Sequence, residues 1–214
     1  MTLEELIERV KEAVEDDDFD DRIIDWLNRG VLLIAGGIRR NDSSVLTQPL
    51  PGLYEIGTVS TSSTCKVDLP VDYQRDLVFA VDAGGRQLQI NDSFIRFAQT
   101  YPAMNTVGTI NELAVKGKVL YYQGIPEASE DITIHYHRYP VDMVAGSDEP
   151  EGIPEHLHDA LLVSYACKEI FALKESGVDN SNFSTMKYEQ KFSAALDALE
   201  ASIAADAPPF SFFA

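Results

Sequence analysis

The spacing of apolar residues changes twice along this chain, which excludes any fold built from one kind of element. Up to Gly37 they recur at helical intervals, between about residues 50 and 142 they alternate, and beyond residue 150 the helical interval returns. The pattern predicts an α+β fold. Helices from the N- and C-terminal parts form a bundle, and an antiparallel β domain is inserted between them. The expected bounds are 1–45 and 150–205 for the discontinuous bundle, 50–142 for the β domain and 206–214 for an apolar C-terminal tail.

Local signals give the elements. Leu3, Leu6, Ile7, Val10, Ala13 and Val14 share one helical face, and Thr2 with Glu5 has the spacing of a capping box. The acidic run Glu15–Asp21 lacks the spaced ligands and turn glycine of a calcium loop. It reads instead as a cap, Asp17 or Asp18, with further acids at the positive end of a second helix. That helix carries Ile23, Leu27, Val31 and Ile34 on one stripe, with Trp26 beside it in the core, and Gly36-Gly37 ends it.

In the middle region Cys65, Val67 and Leu69 alternate with Lys66 and Asp68. Residues 76–92 read as a hairpin turning at glycine, residues 111–124 as a second one turning at Lys116-Gly117-Lys118, and residues 131–140 as a strand ended by Pro140. After an acidic, Pro- and Gly-bearing linker, Pro154 opens a helix. Its apolar residues, Leu157, Leu161, Leu162, Tyr165, Ala166, Ile170 and Leu173, spread round more than one face, which predicts burial on two sides. The last helix has a single stripe of Tyr188, Phe192, Ala195, Leu196, Leu199 and Ile203.

Charge narrows the possible functions. With 35 acidic residues against 17 basic ones the net charge is −18, so the chain repels nucleic acid and anionic membranes. Hydrophobic residues make up 45%, enough for a real core. Two cysteines, Cys65 and Cys167, are too few for a disulfide framework and point to a reducing compartment. The N-terminal stretch is acidic and amphipathic without the apolar core of a secretion signal, and no run reaches the ~18 apolar residues of a membrane span.

The only histidines form two His-x-His pairs, His135 with His137 and His156 with His158. The first pair shares one face of a half-solvated strand, a geometry that metal sites use. The second starts a helix, where positions two apart diverge by about 200° and do not chelate one ion together. No nucleophile elbow, Walker loop or His-Glu-x-x-His helix is present, and Cys167 reads as an inert core thiol. The residues therefore predict no catalytic group, no metal and no cofactor.

The order of the pieces carries the strongest signal. A helical hairpin with "IIDWLNRGVLLIAG" is followed by a β region with "VDLPVDYQRDLVFAV" and "LYYQGIPEASEDITIHYHRYP", then by "IPEHLHDALLVSYACKEIF" and a final helix rich in Tyr, Phe and Ala. Over nearly its whole length this resembles the head-to-tail adaptor (connector or tail-tube gatekeeper-like) proteins of tailed bacteriophages. The resemblance implies a structural virion protein without catalytic activity, made in the bacterial cytoplasm and built into the head–tail junction. It implies a ring of identical subunits, commonly twelve-fold, docked beneath the portal protein. Such a ring extends the DNA channel and offers a surface to tail or tail-completion proteins.

Two features suit that role. DNA must pass without being gripped, and each Lys or Arg contact to phosphate would hinder passage, so an acidic wall serves a channel. The terminus places Pro208 and Pro209 ahead of Phe210, Phe212 and Phe213, an aromatic segment fit to dock on a neighbouring subunit or the portal. The same segment could equally fold onto its own bundle. The stretches Arg39–Gly52 and Ala98–Gly108 read as further loops available for contacts. Other readings remain: a tail-completion or minor tail protein, or a small metal-binding accessory enzyme using the histidine pairs.

Overall fold

The computed structural model describes residues 1–15, 19–37, 49–176 and 182–206. In chain order these form α1 (Leu3–Val14), α2 (Asp20–Gly36), a 3₁₀ turn (Pro51–Leu53), β1 (Tyr54–Ser60), β2 (Lys66–Asp68), β3 (Tyr73–Val81) and β4 (Gln89–Asn91). There follow α3 (Phe94–Thr100), β5 (Glu112–Lys116), β6 (Val119–Tyr122) and β7 (Asp131–Arg138). A 3₁₀ turn (Glu155–Leu157) and a π-helical turn (Asp159–Val163) lead into α4 (Ser164–Glu175), and α5 (Phe183–Asp206) is last. The fold is α+β. It divides into two compact units, Met1–Leu53 with Pro140–Ala214, and Tyr54–Tyr139.

In the helical unit, capping and close approach set the frame. The Thr2 hydroxyl accepts from the Glu5 N–H at 3.3 Å, and the Glu5 carboxylate accepts from the Thr2 N–H at 3.0 Å, completing the capping box. The start of α2 differs from expectation: Phe19 holds the cap position and makes no side-chain cap bond. Asp17 and Asp18 lie outside the described residues. The Phe19 ring instead packs on Trp26 at 6.0 Å. Seven consecutive residues, Leu161–Cys167, are buried, because α4 and the π-turn before it touch α1, α2 and α5 alike. Gly30 lets α2 come that close: a Cβ there would sit 3.0 Å from Tyr165 Cδ1. Leu173, read as part of this core, is 45% exposed, since by then α4 has passed the end of the packed layer. All six stripe residues of α5 are buried.

The β unit has two sheets, one of three strands in the order β1-β7-β3 and one of four in the order β2-β6-β5-β4. All pairs are antiparallel except β4 with β5, which is parallel. The expected hairpin over residues 76–92 is therefore only partly formed. The turn is there: Asp82 Oδ1 accepts from the N–H groups of Gly84 and Arg86, and Val81 bridges Gln87. Beyond it the chain leaves β3, and β4 joins the other sheet. The second hairpin forms as expected, with Gly117 at φ 64° in its turn. Helix α3 is additional. Ser93 caps it, and the buried Phe97 holds it down. Its residues Ala98–Thr100 belong to the stretch expected to be a loop. The remainder of that stretch is tied to Ile125 by hydrogen bonds through Thr106 and Gly108.

Candidate docking surfaces

The segment that the sequence puts forward for docking, Pro208, Pro209, Phe210, Phe212 and Phe213, lies outside the described residues, as does most of Arg39–Gly52. The histidines are described, and each is engaged differently. His135 shares a hydrogen bond with the Tyr54 hydroxyl and meets Phe79 edge-on at 5.2 Å. His137 is only 8% exposed, against the half-solvated setting expected, because the Tyr54 ring closes over it at 5.9 Å. Burial lowers its pKa, and its Nδ1 has no hydrogen-bond partner.

His156 is exposed and His158 is buried. His158 Nε2 lies 2.8 Å from the Ile153 carbonyl, and Nδ1 lies 3.2 Å from the amino group of Met1. A neutral ring with its proton on Nε2 satisfies both, donating to the carbonyl and accepting from the amine. Burial again lowers the pKa. With both nitrogens used, this ring has none left for a metal. Among the described residues no three His, Cys, Asp or Glu side chains group as a metal site requires. Burial pushes the Cys167 thiol up to about 12, so at neutral pH it keeps its proton and is no nucleophile.

The geometry thus offers surfaces rather than a reaction centre. The outer face of the three-stranded sheet carries Tyr54 and Ile56 of β1, His135 of β7 and Phe79 of β3, brought together by the pairings Ile56↔His135 and Phe79↔His135. Beside it β3 is irregular: its register shifts around Asp76, whose φ is 55°. Arg75 Nε lies 3.4 Å from Asp76 Oδ2 without a hydrogen bond, and Gln74 Oε1 has no partner.

The family model described as SU10 adaptor protein matches residues 1–210 of the chain. The chain belongs to the SU10 adaptor protein family. It is a structural protein of the bacteriophage virion. No curated protein matches it. Among the described residues no helix is long and apolar enough to cross a membrane.

The helical unit of this adaptor has two further faces that reading by motif passes over. A groove of about 440 Å³ runs between α2 and α4, where Arg22, Asp25, Trp26 and Arg29 face Glu169 and Leu173. On α1 the exposed side is acidic, with Glu4, Glu8 and Glu12 one turn apart. The signal for the groove was present in the sequence. Arg22 and Arg29 stand seven residues apart, on the side of α2 that the apolar stripe leaves free.

Proposed function

We propose that this adaptor is the subunit of a ring, twelve-fold by resemblance, that docks beneath the portal protein at the head–tail junction. The ring extends the DNA channel and presents a surface to tail or tail-completion proteins. It catalyses no reaction. It is made in the host cytoplasm and assembled into the virion there.

The family match across residues 1–210 carries this reading. Charge supports the channel: at −18 per subunit, a ring wall has carboxylates to spare and little with which to hold phosphate. The aromatic segment Phe210, Phe212 and Phe213 behind Pro208 and Pro209 is proposed to dock on the portal or on the next subunit.

Electron microscopy of the purified chain mixed with the portal ring of the same phage tests it. The expected result is ring density added at one end of the portal, lost when Pro208–Ala214 is deleted. Binding to an assembled tail and never to the portal would instead make this a tail-completion or minor tail protein.

A further inference from the structure

The groove between α2 and α4 combines features that an isolated surface has no use for. Arg22 and Arg29 form no ion pair, although the chain has about twice as many carboxylates as cations. Asp25 lines the same groove without pairing to either, and the other acid there, Glu169, is turned to Lys168 at 3.1 Å. Trp26 forms the floor between the arginines. Leu33, one turn beyond Arg29, and Leu173 across the groove are both largely exposed. Two uncompensated guanidinium groups flanking an apolar floor form a receptor for carboxylates on an ordered segment.

The complementary surface is on the same unit. Glu4, Glu8 and Glu12 repel one another at successive i, i+4 positions of α1. Arg9 reaches only Glu12, at 3.4 Å, and Glu4 and Glu8 meet no base. Glu5 and Glu12 also repeat the seven-residue interval of Arg22 and Arg29, about 10.5 Å along a helix axis. A chain cannot bring these two surfaces together within itself. Helix α1 packs on α2 and α4 from one side, and the groove opens on the side that α1 leaves free.

We infer that the acidic ridge of α1 in one copy docks into the Arg22–Trp26–Arg29 groove of the next. This contact is heterologous, using different patches on the two partners, and such contacts generate closed rings when the rotation between copies closes. Two chains of charge −18 repel on approach, so the unpaired arginines direct the encounter to one orientation. The inference rests on the ring proposed above and names the surfaces that form it.

The test is charge reversal in the full-length chain, read by native mass spectrometry and by microscopy with the portal ring. Circular dichroism checks that each variant is folded. Arg22→Glu with Arg29→Glu is expected to abolish rings, as is Glu8→Lys with Glu12→Lys. All four substitutions in one chain are expected to restore them, and wild-type rings are expected to dissociate as salt is raised. If the wild type forms rings and either folded double variant does so equally well, the pairing is overturned and the ring stands. If both double variants lose rings and the fourfold variant does not regain them, the pairing of these two faces is likewise wrong. If the wild type forms no ring with or without the portal, the ring reading falls and the pairing with it.

Discussion

The helical unit and the β unit each bury a histidine on a regular element, and they treat it in opposite ways. His158 has a partner on each ring nitrogen, within a core where Asn28 likewise uses both ends of its amide, on Met143. His137 leaves Nδ1 empty, next to the partnerless Gln74 Oε1 and Arg75 Nε. Among the described residues, every buried side-chain polar atom without a partner belongs to β3 or β7. A buried polar group that is satisfied contributes modestly to stability, whereas one left unsatisfied costs its whole desolvation. The helical unit is thus complete as it stands, and the β unit carries a local deficit on one sheet.

The most severe break on the helical side is Leu162→Ala. Leu162 is fully buried in the layer that Gly30 brings close, and its loss should lower unfolding stability by about 3 kcal/mol in urea titrations. A loss below about 1 kcal/mol would mean that the layer collapses to fill the space.

The two histidines then give opposite tests with one substitution. His158→Phe strips the Ile153 carbonyl of its donor and should cost about 2 kcal/mol. His137→Phe removes an orphaned nitrogen and should be neutral or stabilising, by no more than about 1 kcal/mol. Equal losses at the two positions would erase the distinction between the units.

Acid should sharpen it. Burial holds both rings below the ordinary histidine pKa, so as pH falls the unfolded chain takes up these protons first. Stability is then unaffected by these groups above about pH 6.5 and declines below it. Thermal melts from about pH 7.5 down to about pH 5 should show the decline, smaller in His158→Phe. A melting temperature flat across that range would mean that neither ring resists protonation.

What could be read from the sequence followed the reach of each interaction. The capping box of α1, the stripe of α5 and the turn at Gly117 rest on residues within a few positions of one another, and all are present. Features set by distant partners could not be read in the same way. The three residues of β4 alternate like a hairpin arm, yet their partner is β5, some twenty positions on. Tyr54 covers His137 across eighty residues of chain, which no alternation pattern contains. Helix α3 was within reach, since Ser93 followed by Phe94 and Phe97 is a cap and a helical pair, but seven residues are too few to stand out. The arginines of the groove were visible, but their lack of partners was not. It depends on where Asp25 and Glu169 point.

The π-turn at Asp159–Val163 sets a limit on how this chain can vary in length. One surplus residue is wound into the helix there, and it fixes the rotation of everything after it. Removing a single residue would restore ordinary winding and turn α4 by about 100°. Lys168 would then take the place of Cys167, between α1, α2 and α5. Among related chains, insertions and deletions should therefore fall in the stretch between α4 and α5 and spare these five residues, even where their identities change.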